Sequence, residues 1–489
     1  MTSSPLSLGA CRGHSGALQA SITCVMAPSE EGGEEDAVSP SEEDTALVTW
    51  LQDNGGSVGK VAIGRRAGVR GLYTTADVSA GENLLTVPRA CTLSAAAAPE
   101  FGLSVAQLAT CRLLGAMARG EFSAYVTSLP AVEPLLCDWS AAELSMLCSP
   151  KLADEAAAQK DYIEASLVDM QPWVSPDLSL DEIRWAERMV RSRALSFEVG
   201  WDYQPTVSLV PLVDLANHAT PPTHQAVEPV QLDPQSQEIR LVAPTDLSAG
   251  SEVCICYRRE GNGALLLDYG FAEAPPPAPG HEKIRLGSVA SVAEATRTSA
   301  AAEATAEATA EATAEATATA EATAEAATEE ESRMGGGVEV VLGSFDEDDY
   351  AVSCLMLWLQ RQQQAAPEKP KGAGEEAGEG AGEGGAAVLE SVVAAACAAL
   401  EAACTKELTR LSEAEAALDA EDDTIQEAED VLVGRATCAQ AYRRGQRAQL
   451  EGTREALRLT LDQHGKGQQP LKDKAAVMRA LASARDRAL

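Results

Sequence analysis

The sequence predicts an α+β protein in which two strand-rich blocks flank a helical insertion and an all-α domain follows. Three observations predict it. Short apolar runs separated by glycine and proline occupy two stretches, apolar residues at helical spacing fill the stretch between them, and helical patterns return towards the C-terminus. Strands and helices that occur in separate blocks, rather than in alternation, are typical of the α+β class.

Composition and charge limit the functions that this chain can have. It has 489 residues, 45% of them hydrophobic, and a formal net charge of −36. Such a chain can build a sizeable core, but it lacks the clustered lysine and arginine that grip the phosphates of a nucleic acid. No apolar run reaches the roughly 18 residues of a membrane span. We therefore expect no nucleic-acid and no membrane partner, and we expect a monomer.

The twelve cysteines are scattered without a repeated spacing. Only Cys254 and Cys256 lie within two residues of each other, and no C-x-x-C pair supports a zinc ribbon or a thioredoxin-type site. The two would share one face of a strand, and we interpret them as core residues because cysteine is commonly buried.

Residues 1–44 are predicted to be a disordered N-terminus. Residues 1–28 lack Asp and Glu and contain several Ser and Thr, which is typical of a transit peptide and also of an ordinary disordered tail. Residues 30–44 are acidic and rich in small residues, and we interpret them as a linker. A transit peptide would place the protein in the chloroplast, whereas a plain tail leaves the cytoplasm or the nucleus.

The first domain is predicted over residues 45–275, opening with a helix whose apolar residues lie between Leu47 and Leu51. Glycine and proline then separate three strand-like runs, at residues 61–63, 71–74 and 83–87. A second strand-rich block runs over residues 207–271.

Between the strand-rich blocks, a helical insertion is predicted over about residues 95–195. Two apolar stripes at helical spacing support it. The first stripe is Leu108, Cys111, Leu114 and Met117, and the second is Ile183, Ala186, Met189 and Val190. Each stripe predicts a helix that packs one face against a core.

Low-complexity sequence separates the first domain from a helical C-terminal region. Residues 276–337 contain a proline run and E-A-T-A repeats, in which a helix would stack glutamates four residues apart, so we predict a linker. Residues 338–489 show helical patterns, such as that of Leu355 and Leu359. A Gly-, Glu- and Ala-rich tract interrupts them at residues 365–387.

The residues that could carry chemistry cluster in the second strand-rich block. It contains S-L-V-P-L-V-D-L-A-N-H-A ending at Ala219, S-E-V-C-I-C-Y ending at Tyr257, and L-L-L-D-Y-G-F ending at Phe271. On spacing alone, the pair Asn217-His218 is more typical of a capped turn, and a tyrosine that ends a strand is more typical of a core or its rim. The combination of the three segments carries more information than any one of them.

The order of these motifs resembles that of the SET-domain methyltransferases, in particular the branch of the Rubisco large-subunit lysine methyltransferases. The segments that carry the resemblance are G-V-R-G-L-Y-T-T-A-D-V-S-A-G-E-N-L-L-T-V-P at residues 68–88, F-S-A-Y-V-T-S-L-P at 122–130, W-S-A-A-E-L-S-M-L at 139–147, Arg191-Ser192-Arg193, Asp214-x-x-Asn217-His218, and N-x-x-L-L-x-x-Y-G-F at 262–271. A-Y-R-R-G-Q-R-A-Q-L at residues 441–450 is similar to the branch's substrate-binding helices. Each motif is short, but their shared order argues against chance.

The resemblance implies a SET-domain β fold, made of small sheets with a threaded pseudoknot, and an all-α substrate-binding domain over residues 338–489. It also implies a protein-lysine N-methyltransferase that uses S-adenosyl-L-methionine and whose partner is a protein substrate presenting a lysine. Chromatin-type SET enzymes often close their site with zinc-bound cysteines. This chain has no cysteine between Cys256 and Cys354, so we expect no metal.

The resemblance assigns roles to individual positions. The cofactor-binding residues are Arg70, Gly71, Leu72, Arg193, Asn217 and His218. The catalytic residues are Tyr257 and Tyr269, which also bind the substrate together with Asp214. Tyr257 would orient the acceptor, and Tyr269 would line the lysine channel.

Methyl transfer explains why such residues are needed. The acceptor lysine must react as the neutral amine, yet with a pKa near 10.4 only about one lysine in a few thousand is neutral at pH 7. A narrow, dry, aromatic channel lowers that pKa through desolvation and aligns the reacting atoms. Tyrosine hydroxyls around the methyl group then supply orientation rather than acid or base catalysis.

Three departures from the family's pattern bear on the substrate. Arg258 follows Tyr257 where family members usually have glycine, Phe197 stands where many have a second basic residue, and no tyrosine occurs between His218 and Tyr257. They cast doubt on Rubisco as the substrate more than on methyl transfer. Two alternatives stay open: a catalytically weak SET scaffold that binds a partner through its helical C-terminal domain, and methylation of a histidine instead of a lysine.

Overall fold

The structure, a computed structural model, describes most of the first domain and much of the helical C-terminal region. The described residues are 25–26, 40–66, 68–132, 134–220, 228–258, 260–274, 282–289, 291–293, 339–342, 352–357, 359, 381–421, 429–468 and 471–486. The interpretations of residues 1–24 and of the E-A-T-A repeats lie outside this part of the chain.

Short strands and one helix open the described part of the chain. They are β1 (Val25–Met26), α1 (Glu42–Asp53), β2 (Ser57–Val58), β3 (Val61–Arg66), β4 (Val69–Thr74), β5 (Asn83–Pro88) and β6 (Leu93–Ala96). The three predicted strand runs are confirmed as parts of β3, β4 and β5. Two residues of the N-terminus predicted to be disordered, those of β1, pair with a strand near residue 272.

Helices fill most of the predicted insertion. Its helices are α2 (Val105–Arg119), α3 (Ser123–Ser128), α4 (Ala141–Ser145), α5 (Pro150–Val174) and α6 (Leu180–Arg193). The stripe predicted on α6 is buried throughout. The stripe predicted on α2 is wrong in part, because Met117 is 37% exposed while Leu113 is fully buried. Since α2 packs against α5, α6 and β6, its buried face is not set by a single neighbour.

In the described residues between Leu195 and Tyr269, the chain forms six short strands and one α-helix. They are β7 (Leu195–Phe197), β8 (Thr206–Leu209), β9 (Asn217–His218), β10 (Val230–Asp233), β11 (Glu238–Val242), β12 (Cys254–Ile255) and α7 (Asn262–Tyr269). The prediction of strands as far as Phe271 is wrong for α7. A run of three leucines suits a strand or a helix equally, and Gly270, with φ of +77°, ends this one as a helix.

The strands form small sheets. β10, β11, β5 and β2 make an antiparallel sheet, β6, β8 and β7 make a second, and β3 pairs with β4. β9 pairs in parallel with β12, so that Asn217 lies opposite Cys254 and His218 opposite Ile255. This short pair brings the Asn-His motif beside the segment that ends at Tyr257.

The C-terminal region begins with strands rather than helices. After β13 (Ala272–Glu273), β14 (Ile284–Ser288) pairs with β15 (Glu339–Leu342). The predicted linker at residues 276–337 is therefore wrong at β14, and the all-α prediction is wrong at β15. Each strand is too short to bury an apolar face alone, and the two together contribute Ile284, Val340 and Leu342 to a core.

Long helices complete the region. They are α8 (Ala381–Glu421), α9 (Glu429–Gly465) and α10 (Lys474–Asp486). α8 starts inside the tract predicted to interrupt the helices at residues 365–387. None of the helices in the described residues is apolar over the length that crossing a membrane requires.

Apolar contacts join the two halves of the chain. Leu136, Trp139 and Leu266 of the first domain share one buried cluster with Cys438 and Tyr442 of α9. The C-terminal helices thus pack directly on the helix that carries Tyr269.

An ion-paired carboxylate fixes the start of the fold. Ser41 caps α1, and the third helical residue, Asp44, returns the capping hydrogen bond. Asp44 is fully buried and pairs with Arg65 at 2.9 Å and with Arg70 at 2.5 Å. The predicted boundary between linker and domain at residue 44 is therefore too late, because the cap and its distant partners order residues 41–44.

Replacing Asp44→Ala should lower the free energy of unfolding by about 2 kcal/mol, because both the cap and the ion pairs to two arginines are lost. Urea denaturation measures this change. Asp53→Ala, at the exposed end of the same helix, should change it by less than about 0.5 kcal/mol. Equal effects of the two substitutions would contradict the assigned role of Asp44.

Candidate functional site

The side chains of Asn217 and Glu252 lie close to the backbone of Gly71 on β4. The Asn217 amide Nδ2 donates to the Arg70 carbonyl at 3.0 Å and to Glu252 Oε1 at 2.7 Å. A Cβ atom at residue 71 would lie 2.7 Å from Glu252 Oε1 and 2.8 Å from Asn217 Nδ2. Only glycine leaves the Asn217–Glu252 pair in place.

The side chains of the two residues that flank Gly71 point away from the Asn217–Glu252 pair. The Arg70 side chain points to Asp44 and donates to the Ser128 carbonyl at 2.8 Å. Leu72 is buried, and its carbonyl accepts the N–H of Val253 at 2.8 Å. The resemblance implies that the backbone of this segment holds the cofactor. The side chains of Arg70 and Leu72 make other contacts.

His218 is buried with a defined tautomer. Its Nδ1 accepts the backbone N–H of Tyr257 at 2.9 Å, so the ring proton of the neutral form is on Nε2. Nε2 faces Thr220 Oγ1 at 3.3 Å and Glu273 Oε1 at 3.4 Å. Burial lowers the pKa of His218, although Glu273 opposes this, and the imidazole is neutral at pH 7.

Aromatic rings gather at the junction of β9, β12 and α7. The rings of Tyr257 and Tyr269 lie 4.8 Å apart, and His218 lies 5.2 Å from Tyr257. The Tyr257 hydroxyl donates to the Ala216 carbonyl at 2.9 Å, which fixes its orientation. Burial raises the pKa of Tyr269 to about 12, so its hydroxyl stays protonated.

A cleft of about 930 Å³ opens beside these rings. The predicted site residues that line it are Tyr257, Tyr269, Asp214 and Arg193. The other predicted cofactor-binding residues, on β4 and β9, do not line it. Tyr257 lines the cleft and its ring lies 5.2 Å from that of His218, so it adjoins both sets of residues.

Asp214 is a buried carboxyl group in the wall of the cleft. Its Oδ2 accepts the hydroxyl of Tyr125 at 2.7 Å, and Arg193 Nη1 donates to its backbone carbonyl at 3.3 Å. Burial raises the pKa of Asp214, and the charge of Arg193 opposes the shift. Its Oδ1 is buried and makes no hydrogen bond among the described residues.

Arg258, at the position where the family usually has glycine, lies at the edge of the cleft. Its guanidinium pairs with Asp268 and with Glu260, the latter at 3.3 Å, and Asp268 also accepts from Arg191 at 2.9 Å. These ion pairs anchor Arg258 to α7 and α6 beside Tyr269.

The interpretation of Cys254 and Cys256 as core residues is wrong. Both are only half-buried, Cys256 lines the cleft, and Ile255 between them is the residue that enters the core. Among the described residues, no group of three or more His, Cys, Asp and Glu side chains could hold a metal ion.

Sequence reasoning missed three polar residues of the site. Glu252 holds Asn217, Glu273 faces His218, and Tyr125 holds Asp214. The first two lie next to recognised motifs, but no spacing indicates which buried group each one meets. Tyr125 belongs to a segment, F-S-A-Y-V-T-S-L-P, that was assigned only to the insertion.

Comparison with solved structures identifies the fold. The SET domain of LSMT bound to MeLysine and AdoHcy matches with a TM-score of 0.54 at 19% identity, over 87% of this chain and 94% of that chain. The same domain bound to Lysine and AdoHcy gives 0.53 at 19% identity, over 86% and 92%. Rubisco LSMT bound to AdoMet gives 0.51 at 19% identity, over 86% and 94%. No protein-family model matches the sequence, and no curated protein matches it.

The resemblance to SET-domain proteins of the LSMT branch is thus confirmed for the fold. It extends over nearly the whole length of those structures, including their part that corresponds to the C-terminal helices of this chain.

Proposed function

We propose that this chain is a protein-lysine N-methyltransferase that uses S-adenosyl-L-methionine. One observation carries the proposal: on a SET fold, Tyr257 lies between the Gly71–Asn217–His218 cluster and an aromatic cleft that a side chain can enter from outside. The solved structures of the same fold hold AdoMet or AdoHcy, and two of them also hold lysine or MeLysine.

The residues around Gly71 fit the proposed cofactor. The missing Cβ at residue 71 leaves room for the Asn217–Glu252 pair. Two acceptors hold Asn217 Nδ2, and its Oδ1 would accept from the cofactor. When bound, the cofactor supplies a methyl group attached to a positively charged sulfur. Backbone groups of Arg70 to Leu72 would hold its methionine part, Asn217 and His218 its amino group and adenine, and Arg193 its carboxylate. The parallel contact of β9 with β12 supports a threaded crossing at this point.

The cleft fits the amine side of the reaction. Tyr257 and Tyr269 would enclose the acceptor and exclude water, which lowers the pKa of its ammonium group. The Tyr257 hydroxyl, whose proton is directed to Ala216, would orient the nitrogen through its oxygen. The ammonium form would lose its proton to bulk water before the tyrosines enclose it, and Asp214 in the cleft wall would contact the bound substrate.

The partner in this proposal is a protein substrate that docks on the C-terminal helices. The support is their position, because α9 packs against α7, which forms one side of the cleft. The departures at Phe197 and Arg258 lie in the cleft wall and support a substrate other than Rubisco.

Two measurements test the proposal. Isothermal titration should show S-adenosyl-L-methionine binding that a chelator does not change, and a methyl label should pass from the cofactor to lysine in a cognate lysate. Binding without transfer would favour the scaffold alternative, and label on histidine would favour the other one. Absence of cofactor binding would refute the proposal.

Asn217→Ala should weaken cofactor binding about tenfold, because it removes the amide whose Nδ2 is held by Arg70 and Glu252 and whose Oδ1 would accept from the cofactor's amino group. Isothermal titration gives the affinity directly. Asn83→Ala is the matched control, since the exposed Asn83 side chain on β5 bonds to Thr86, away from the site. Unchanged affinity in Asn217→Ala would mean that the cofactor lies elsewhere.

A further inference from the structure

Glu282 lies outside the cleft, yet it holds the helix that carries Tyr269. Its buried carboxyl group accepts the backbone N–H groups of Asn262 at 2.5 Å and Gly263 at 3.0 Å, the first two residues of α7. These groups have no partner within a helix, and a negative charge at this end suits the helix dipole. Glu282 therefore serves as a cap supplied from 20 residues away in the sequence.

Two glycines make room for this cap. A Cβ atom at Gly261 would lie 2.5 Å from the Glu282 carboxyl carbon, and one at Gly263 would lie 3.3 Å from its Oε2 and 3.1 Å from the Tyr442 ring. The G-N-G sequence at the start of α7 is thus explained by the carboxyl group beside it.

The C-terminal region holds Glu282 in place. The Glu282 backbone N–H donates to Gln449 Oε1 at 3.0 Å, and Gln449 Nε2 donates to the Glu282 carbonyl at 2.8 Å. Gln449 belongs to α9. The cap on α7 is consequently tied to the helices proposed to dock the substrate.

Both ends of α7 reach the candidate site. At its start, the Asn262 side chain exchanges two hydrogen bonds with the backbone of Glu273, at 3.1 and 2.8 Å, and the Glu273 carboxylate faces His218. At its end, Asp268 anchors Arg258, and Tyr269 contacts Tyr257. A shift of α7 would move both sides of the site together.

We propose that Glu282 is a positioning residue whose ionised carboxylate holds α7, and with it Tyr269 and Glu273, in the active arrangement, so that protonation of Glu282 loosens the site. This inference rests on the proposed function and adds a regulatory input, pH, to the same site. Because Gln449 of α9 bonds to the Glu282 backbone, movements of α9 would also be passed to the site through Glu282.

The surroundings of Glu282 place its titration near neutrality. Burial raises its pKa to about 7, while the two N–H bonds of α7 and the charge of Lys151 on α5 oppose the shift. Lys151 is itself paired with Glu155 at 2.5 Å. On the α9 side, Tyr442 faces Glu282, and burial raises the pKa of its phenol well above 10, so it stays neutral.

Ionisation of Glu282 has opposite effects on folding stability and on the proposed activity. Because the pKa rises from 4.5 to about 7 on folding, the protonated form is favoured in the folded state. The stabilisation is complete below pH 4.5 and is lost as pH rises through 7. Ionised Glu282 thus costs stability while it orders α7.

Glu282→Gln separates these two effects, because glutamine imitates the protonated form. The ratio of wild-type to variant turnover should be about tenfold at pH 8.5 and fall towards one at pH 6. Taking the ratio cancels the ionisation of the acceptor lysine, which both proteins share. At pH 8.5 the variant should unfold at the same or a higher temperature than the wild type.

Glu415→Gln is the matched control. Glu415 pairs with Arg443 and Arg447 between α8 and α9 but does not contact α7, so its turnover ratio should not depend on pH. A ratio for Glu282→Gln that is constant over pH, or a loss of turnover that follows a loss of thermal stability, would overturn the inference.

A second measurement does not need activity. Amide hydrogen exchange of Gly263 and Ala264 should be faster in Glu282→Gln than in the wild type at pH 8.5 and equal at pH 6. If the wild type transfers no methyl group at all, the proposed function fails, whereas this comparison still decides the role of Glu282. Equal exchange in both proteins at pH 8.5 would refute that role.

Discussion

Tyr257→Phe should reduce turnover about a hundredfold while cofactor affinity remains almost unchanged. The Tyr257 hydroxyl is held by Ala216 at the point where the cofactor-side residues and the cleft meet. Its loss should therefore affect the transition state rather than ground-state binding, and removal of one such positioned group commonly costs about 3 kcal/mol. Single-turnover methyl transfer with saturating cofactor measures the effect.

Tyr203→Phe provides the control for this substitution, because Tyr203 is 62% exposed and lies outside the cleft. It should leave turnover unchanged. Tyr269→Phe should reduce the first methylation less than Tyr257→Phe and alter the number of methyl groups added, since its ring shapes the cleft. Wild-type turnover in Tyr257→Phe would refute the assigned role and direct attention to Arg258 beside it.

Gly71→Ala should weaken cofactor binding about a hundredfold. The added Cβ would come within 3 Å of Glu252 Oε1 and Asn217 Nδ2, which are bonded to each other and cannot both retreat without breaking their contacts. Two half-buried polar groups would then lose partners, at about 1 to 3 kcal/mol each. Isothermal titration with S-adenosyl-L-methionine measures the loss.

The matched control for Gly71→Ala is Gly465→Ala. A Cβ atom at Gly465, the last residue of α9, would meet nothing within 4 Å. Cofactor affinity should be unchanged in this variant. If Gly71→Ala binds the cofactor as well as the wild type does, the close approach at residue 71 has no part in binding.

Local pattern was sufficient to predict the buried stripe of α6 and the strand runs of β3 to β5. The stripe on α6 and the strand runs of β3 to β5 follow from period and from glycine and proline positions, because each packs against a single core. The pattern failed where packing partners decide. Leu113 is buried because α2 has several neighbours, and β14 and β15 became strands because they pair with each other across about fifty residues.

The candidate site divides in the same way. The order of short motifs was enough to select Gly71, Asn217, His218 and Tyr257, and the structure brings these residues together at a junction of β4, β9 and β12. Their roles stay predictions until they are measured. The motifs show which residue types lie at the ends of strands, and the end of a strand can be recognised from the local sequence.

Only the tertiary structure could assign the partners of the buried polar groups. Asp44 meets Arg70, Asn217 meets Glu252, and Glu282 meets the start of α7, over separations of about 20 to 35 residues. A buried carboxyl group must find hydrogen bonds or counter-charges, but any of many donors would satisfy it equally well, so residue type alone does not select one. The sequence alone selected the candidate side chains, and the packing of distant segments against one another decided what holds each of them in place.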